Sequence, residues 1–434
     1  MRGFLRRIHA LHAVPTGPRR RVDVAVLAGL AGLVTAGPVV LAGPFTADGP
    51  GIGHSRPTVV QRIAVFGTDD RVVLPADKSA LSRSVGLLYE GRSHSVCTAF
   101  CVGDDVIATA GHCLFRTEGE RPLRLKGVEF RLQPHGGAAA SSRIAGSAHN
   151  SEAQHVAAGS LKLRVKPPID AAQDWALIKL ASPICKGNVL PVSRQPAQAL
   201  VKLSAAQRVY QVSYHRDFAN WQLALGMPCA IRRSFEGADW KAISKDFVDA
   251  EHVVLHTCDT GGASSGSPML IDGPSGPEVV GINVGTYLQA KVLTQRGEVV
   301  HRYKSETVAN TAVGSGAFRP ALEALSRADI LATRGQVKEL QRLLVAEGHY
   351  GGPADGIYGP QLGAAVRTFE RSEGRSETGL ATVMLLKRLA AREAERRGGT
   401  PGAKPPAEIE TGSVGSHEVS GDKARLPARG SVLP

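Results

Sequence analysis

The chain has 434 residues, 43% hydrophobic and 21% charged, so it is too long for one ordinary domain and apolar enough to bury a sizeable core. Aromatic residues make up 5% and there are 49 glycines, a balance that favours a loop-rich architecture over a helical bundle. The formal charge is +13, of which residues 1–45 carry +5. The remaining positive charge would draw an exported protein to anionic envelope polymers, and no zinc-finger spacing, helix-turn-helix pattern or phosphate-binding glycine loop makes nucleic acid an expected partner.

The N-terminus is basic as far as Arg21, and after Asp23 an apolar run extends from Val24 to Phe45. Residues 1–45 therefore read as a secretory signal peptide, or as an uncleaved anchor, because the run is just long enough to span a bilayer. Residues 46–61 are rich in Gly, Pro and Ser and read as a linker. From there to about Phe318, short apolar runs alternate with turn residues: Arg62 to Phe66, Val72 to Leu74, Val85 to Tyr89, Val96 to Cys101, Val106 to Ala110, Val128 to Leu132, Trp175 to Leu180, Val253 to Thr257, Met269 to Ile271 and Val279 to Val284. Many short strands with Gly, Pro and Asp turns predict an antiparallel barrel or sandwich. The Ala/Ser/Gly-rich stretch from Gly136 to Ser160 reads as a surface loop, and Phe318 to Ile330 as the helix that closes the unit 62–330.

Beyond it the periodicity changes. Val337, Leu340, Leu343 and Leu344 form one helical stripe, Leu362, Ala365, Val366 and Phe369 a second, and Leu385, Leu386 and Leu389 a third, predicting a small three-helix unit over 331–395. Residues 396–434 carry almost no large apolar side chain and are expected to be disordered. The six cysteines fit three disulfides in an oxidising compartment, with fifteen pairings open. Cys97-x3-Cys101 resembles half a metal site, but no second close pair completes it, so neither metal nor cofactor is expected.

Three stretches carry candidate chemistry. Gly261-Gly262-Ala263-Ser264-Ser265-Gly266-Ser267-Pro268 suits a tight turn whose N–H groups converge on one point. Thr109-Ala110-Gly111-His112-Cys113 ends a predicted strand, and Asp174-Trp175-Ala176-Leu177 opens another. A serine hydroxyl becomes a useful nucleophile when an imidazole takes its proton and a buried carboxylate orients that imidazole. His112, Asp174 and Ser265 are the candidates, 62 and 91 residues apart, so only a fold could unite them. Cys113 can pair with Cys97 and fix the histidine.

These stretches, with the cysteine before the histidine and the opening segment Phe66-Gly67-Thr68-Asp69-Asp70-Arg71-Val72, resemble the chymotrypsin-like serine proteases, and more closely the bacterial branch that includes the glutamyl endopeptidases. The resemblance covers about residues 62–320 and implies a mainly β double barrel with the triad in the cleft between barrels, hydrolysing peptide bonds of a protein or peptide substrate through an acyl-enzyme. It implies His112 as general base and then acid, Asp174 as its orienter and Ser265 as nucleophile, with an oxyanion hole from the N–H groups of Ser265 and Ala263. Ala263 replaces the family's usual glycine, and Ser264 stands where trypsin-type zymogens keep the aspartate that binds a new N-terminal ammonium. No switch of that kind is expected. The strand Gly281-Ile282-Asn283-Val284-Gly285 resembles the pocket-lining strand, with Asn283 where glutamyl endopeptidases carry histidine. Asp259 occupies, by counting, the place of the carboxylate that selects Arg or Lys, or else serves a turn. With Cys97–Cys113 go the expected pairs Cys229–Cys258 and Cys101–Cys185.

The helical unit, through Val337 to Leu344, Asp355-Gly356-Ile357-Tyr358-Gly359, Ala364 to Glu370 and Thr378-Gly379, resembles the three-helix peptidoglycan-binding domains of cell-wall enzymes. Peptidoglycan is thereby the expected partner, with Asp355 and Tyr358 as the expected contacts. The expected function is a wall-tethered, exported serine endopeptidase. The competing expectation is a non-catalytic envelope-binding pseudoprotease.

Overall fold

Runs of β-branched and small apolar residues pair into two antiparallel sheets. In chain order the strands are β1 (Gly51–His54), β2 (Thr58–Val60), β3 (Val72–Val73), β4 (Val85–Glu90), β5 (Ser95–Cys101), β6 (Val106–Thr109), β7 (Val128–Leu132), β8 (Ala140–Arg143), β9 (Val156–Ala158) and β10 (Ala176–Lys179). Then come β11 (Val209–Tyr214), β12 (Leu223–Gly226), β13 (Val253–His256), β14 (Pro268–Gly273), β15 (Gly276–Gln295) and β16 (Glu298–Gly314). The helices are α1 (His112–Phe115), α2 (Ala199–Ala205), α3 (Trp240–Ile243), α4 (Ser315–Ser326), α5 (Arg334–Ala346), α6 (Pro360–Ser372) and α7 (Val383–Arg396). The computed structural model describes residues 51–54, 58–60, 64–115, 125–133, 137–146, 151–206, 208–227, 229–234, 239–295, 298–375 and 377–398. The apolar run Val24 to Phe45 and the tail beyond Gly398, with the signal, anchor and disorder expected of them, lie outside the described residues. No helix among the described residues is long and apolar enough to cross a membrane.

The first sheet has seven strands in the order β8-β7-β4-β5-β6-β10-β9. It curls until Ile144, just past β8, bridges Leu180, just past β10. The second runs β13-β16-β15-β14-β11-β12-β3, with β1 and β2 pairing along β15. It curls in the same way, since Ile231 beyond β12 bridges His256 of β13. Two curled antiparallel sheets fit the chymotrypsin-like double barrel that the resemblance implied, where the short-strand pattern alone predicted an antiparallel barrel or sandwich. One apolar core runs through both: Leu88, Phe100, Ile107, Leu177 and Ile178 of the first meet Tyr210, Val212, Leu270 and Ile282 of the second, and α4 adds Phe318 and Leu325. Each such side chain contributes about 1.5–3 kcal/mol on burial. Disulfides join Cys97 to Cys113, Cys101 to Cys185 and Cys229 to Cys258.

The stretch Gly136 to Ser160 is not the plain loop expected of it. Within it lie β8 and β9, with Gln154 and His155 buried between them. Its small side chains are compatible with a strand because β9 supplies backbone, pairing Ala158 with Ala176 at the start of β10. The closing helix α4 also starts earlier than Phe318, at Ser315.

Helices α5, α6 and α7 bury the three predicted stripes in a separate cluster around Leu340, Val366, Phe369 and Leu389. This cluster docks on the first barrel. Gln154 Nε2 donates to Leu331 O at 3.1 Å, and Arg367 Nη2 donates to Ala158 O at 2.9 Å.

Candidate active site

β6 ends at Thr109, whose hydroxyl donates to Thr98 O at 2.9 Å, and α1 begins at His112. β10 runs alongside β6 with Ala176 opposite Thr109, which brings Asp174, just before β10, against the start of α1. Asp174 then holds His112 twice: Oδ1 accepts the backbone N–H at 2.8 Å and Oδ2 faces Nδ1 at 2.7 Å. An ionised carboxylate can only accept, so Nδ1 carries the proton and Nε2 presents its lone pair. Nε2 is buried and makes no hydrogen bond. Asp170, four residues before Asp174, is paired with Arg164 at 2.7 Å.

The loop that carries Ser265 comes from the second barrel and meets the residue after this histidine. Ser265 O accepts from Thr98 N at 2.9 Å and lies 4.0 Å from the sulfur of Cys113, the residue after His112. Gly266 has φ +83°, and a Cβ there would lie 2.1 Å from Thr109 Oγ1 and 2.3 Å from Thr98 O, so only glycine lets the loop approach so closely. The three neighbouring serines are not equivalent. Ser264 and Ser267 are buried, Ser264 Oγ donating to Gly261 O at 2.9 Å and Ser267 Oγ accepting from Gln211 Nε2 at 2.5 Å. Ser265 is only half-buried, and its hydroxyl makes no hydrogen bond to His112 Nε2 in this structure.

The backbone donors of the loop divide in the same way. The N–H groups of Ser264, Gly266 and Ser267 donate to Gly261 O, Asn283 O and Ser264 O at 3.1, 2.7 and 3.1 Å. Those of Ala263 and Ser265 have no acceptor among the described residues. Ala263 sits at φ +84°, a left-handed angle that favours glycine, and its carbonyl accepts from Thr98 Oγ1 at 2.8 Å. A β-carbon there costs about 1 kcal/mol. The geometry nevertheless leaves its amide unengaged.

Residues 97–282 match the family model described as a trypsin-like peptidase domain. The chain carries a trypsin-like peptidase domain. Residues 333–389 match a putative peptidoglycan-binding domain, so a peptidoglycan-binding domain follows the peptidase domain. A putative OxPP cycle protein OpcA of Nostoc punctiforme is 44% identical over 77 residues, a match spanning 18% of this chain and 17% of that protein. Among solved structures, a Glu endopeptidase in complex with MPD aligns at TM-score 0.38 and 15% identity, covering 58% of this chain and 94% of that one. A thermostable serine protease, AL20, from an extremophilic microorganism aligns at TM-score 0.32 and 17% identity, covering 54% and 91%.

Two expectations about the peptidase pocket need correction. Asp259 is buried and its oxygens accept from Phe66 N at 2.7 Å and Asp70 N at 3.0 Å, so the carboxylate anchors the opening segment rather than waiting for a substrate cation. Its charge, after burial, helps push the carboxyl of Asp70 up to about 6. Asn283 also faces inward: Nδ2 donates to Ser264 O at 3.0 Å, and Oδ1 accepts from His256 Nε2 at 3.1 Å. Burial holds His256 down to about 4, which keeps it neutral, as the hydrogen bond its Nδ1 accepts from Cys258 N at 3.3 Å requires. Asn283 therefore braces the Ser264–Ser265 loop, and Gly285, half-buried, follows it at a β-bulge in β15.

Thr98 escaped the sequence reading. It holds Ser265 through its amide, holds Ala263 through its hydroxyl, and accepts from Tyr214 N at 3.1 Å. The only signal in the sequence is a hydroxyl within a run that is otherwise apolar. Cys97, His112 and Cys113 come close enough together to suggest a metal site, but their two sulfurs form a disulfide and offer no thiolate.

In the peptidoglycan-binding domain both expected contacts are half-buried and their polar atoms have partners within the chain. Tyr358 packs against the helical core and its hydroxyl donates to Gly379 O, while burial pushes it up to about 12. Asp355 Oδ1 accepts from Gln341 Nε2 and Ile357 N, both at 2.9 Å. Tyr358 O also accepts from Ser151 Oγ of the peptidase domain at 3.4 Å.

Proposed function

We propose that the protein is an exported serine endopeptidase that cleaves peptide bonds with His112, Asp174 and Ser265, and that its helical domain keeps it at the cell wall. The observation that carries this reading is the pairing of an Asp174-held imidazole, with a bare Nε2, and a loop whose Ser265 and Ala263 amides are unengaged. In this reading Nε2 takes the hydroxyl proton as Ser265 Oγ attacks the substrate carbonyl. The carbonyl oxygen, now negative, receives the two amides. Collapse of the adduct expels the amine, which takes the proton back from Nε2, and water repeats the sequence to release the acid. The missing Oγ–Nε2 hydrogen bond is compatible with this, since such bonds often form only with substrate in place.

Three disulfides and a peptidoglycan-binding domain fit an extracytoplasmic setting. Attachment to the wall raises the effective concentration of the peptidase near envelope substrates. A fluorophosphonate probe tests the chemistry: the wild-type protein takes the label and Ser265→Ala does not. Failure of the folded wild type to react would leave the pseudoprotease reading. Co-sedimentation with purified sacculi, lost on removal of residues 331–398, tests the tether separately.

A further inference from the structure

Behind the nucleophile loop, three remote segments meet on one buried cation. Arg71 directs Nε and Nη2 to the carboxylate of Asp69 at 2.8 and 2.7 Å, and Nη2 also reaches Asp217 at 3.0 Å. Its guanidinium lies 5.0 Å from the centroid of the Phe218 ring. The Arg71 side chain is 4% exposed, whereas Asp69 and Asp217 are 39% and 31% exposed, so the cation is enclosed and its partners face outward. Arg71 holds the carboxyl of Asp69 below the usual range, and for Asp217 it outweighs the upward push of burial.

The third segment is the nucleophile loop itself. A Cβ on Gly261 would lie 2.0 Å from Asp217 Oδ1 and 2.7 Å from Arg71 Nη1, so the ion cluster rests on the backbone of that glycine. Arg71 Nη1 is buried there with no acceptor. At Gly262 the carbonyl accepts from Arg216 N at 2.6 Å, one residue from Asp217. Gly261 and Gly262 lead directly into Ala263, whose left-handed angle has to be held against the strain of its side chain.

A buried ion pair is a poor source of stability compared with apolar side chains of similar size, but it fixes orientation through the planar fork of the guanidinium. We propose that Arg71 is a positioning residue of the peptidase site: with Asp217 it clamps Gly261-Gly262 so that the Ala263 amide stays turned toward the substrate oxygen. The clamp is built from within the chain and needs no free N-terminal ammonium, consistent with Ser264 standing where a partner for one would be. The inference rests on Ser265 acting as proposed above.

The test uses the whole chain and the kinetics of fluorophosphonate labelling, resolved into KI and the limiting rate kinact, with thermal melts alongside. Arg71→Met is expected to lower kinact about 100-fold, the effect of a misplaced reacting group, with KI unchanged. Asp217→Ala, at a more exposed position, is expected to lower kinact in the same direction by a smaller factor, and it decides the matter if Arg71→Met does not fold. A folded variant whose kinact stays within about twofold of wild type, or one in which KI alone changes, overturns the inference. If the wild type itself does not react, the hydrolytic reading has failed, which is a distinguishable result.

Discussion

Two glycine-rich loops look alike in the sequence and differ in what they leave unengaged. Between Gly261 and Ser267 the structure ties down the amides of Ser264, Gly266 and Ser267 and leaves those of Ala263 and Ser265 without acceptors among the described residues. Between Asp355 and Tyr358 it ties down nearly everything: the Asp355 carboxylate, the Gly356 N–H against Gln341 at 2.7 Å, and the Tyr358 hydroxyl. Residue type marks where polar groups gather, but only their partners show whether any are left to act on a ligand.

The contrast can be broken most severely at Asp174. Asp174→Asn removes the acceptor that fixes the His112 tautomer, and turnover is expected to fall about 10⁴-fold with folding intact, measured as kcat on a peptide substrate. A loss below about tenfold would show that Asp174 does not orient the imidazole. Gly266→Ala comes next. Its methyl would collide with Thr109 and the Thr98 backbone, so labelling of Ser265 is expected to slow by about 100-fold as the loop is pushed from the histidine.

The second loop is sharpened by Tyr358→Phe. Losing one hydrogen bond to Gly379 should lower stability by about 1 kcal/mol in urea unfolding, while binding to sacculi is unchanged. Weakened binding at equal stability would return Tyr358 to the ligand surface.

The smallest effect concerns Asp70, an exposed residue at the opening segment. Its folded carboxyl, raised to about 6, binds a proton more tightly than the unfolded chain does, so its contribution to stability is present at low pH and is lost as pH rises from about 4 through 6. Asp70→Asn should therefore be more stable than wild type at pH 8 and indistinguishable from it near pH 4, in paired denaturation curves.

Much of the architecture was legible where strands are continuous apolar runs. β4, β5, β6, β7 and β10 fall within a residue or so of the runs that predicted them, because both faces or one full face of each is buried. β11 was not read, since Gln211 and Ser213 interrupt Val-Tyr-Gln-Val-Ser-Tyr; both are buried, and Gln211 is matched to Ser267 from a segment 56 residues away. β9 was hidden for a related reason: its role is carried by backbone rather than by side-chain type. The motifs around His112 and Asp174 mark two side chains that the fold brings within 2.7 Å of each other. Counting along the chain failed at Asp259, because the function of a carboxylate there depends on which amides the opening segment brings to it, and nothing local to residue 259 encodes that.

The most direct measurement is a crystal structure of the Ser265 phosphonyl adduct. The account predicts a covalent bond at Ser265 Oγ and a phosphonyl oxygen about 2.7–3.1 Å from the N–H groups of both Ala263 and Ser265. An adduct whose oxygen points away from those amides, or a folded protein that forms no adduct at all, would contradict it.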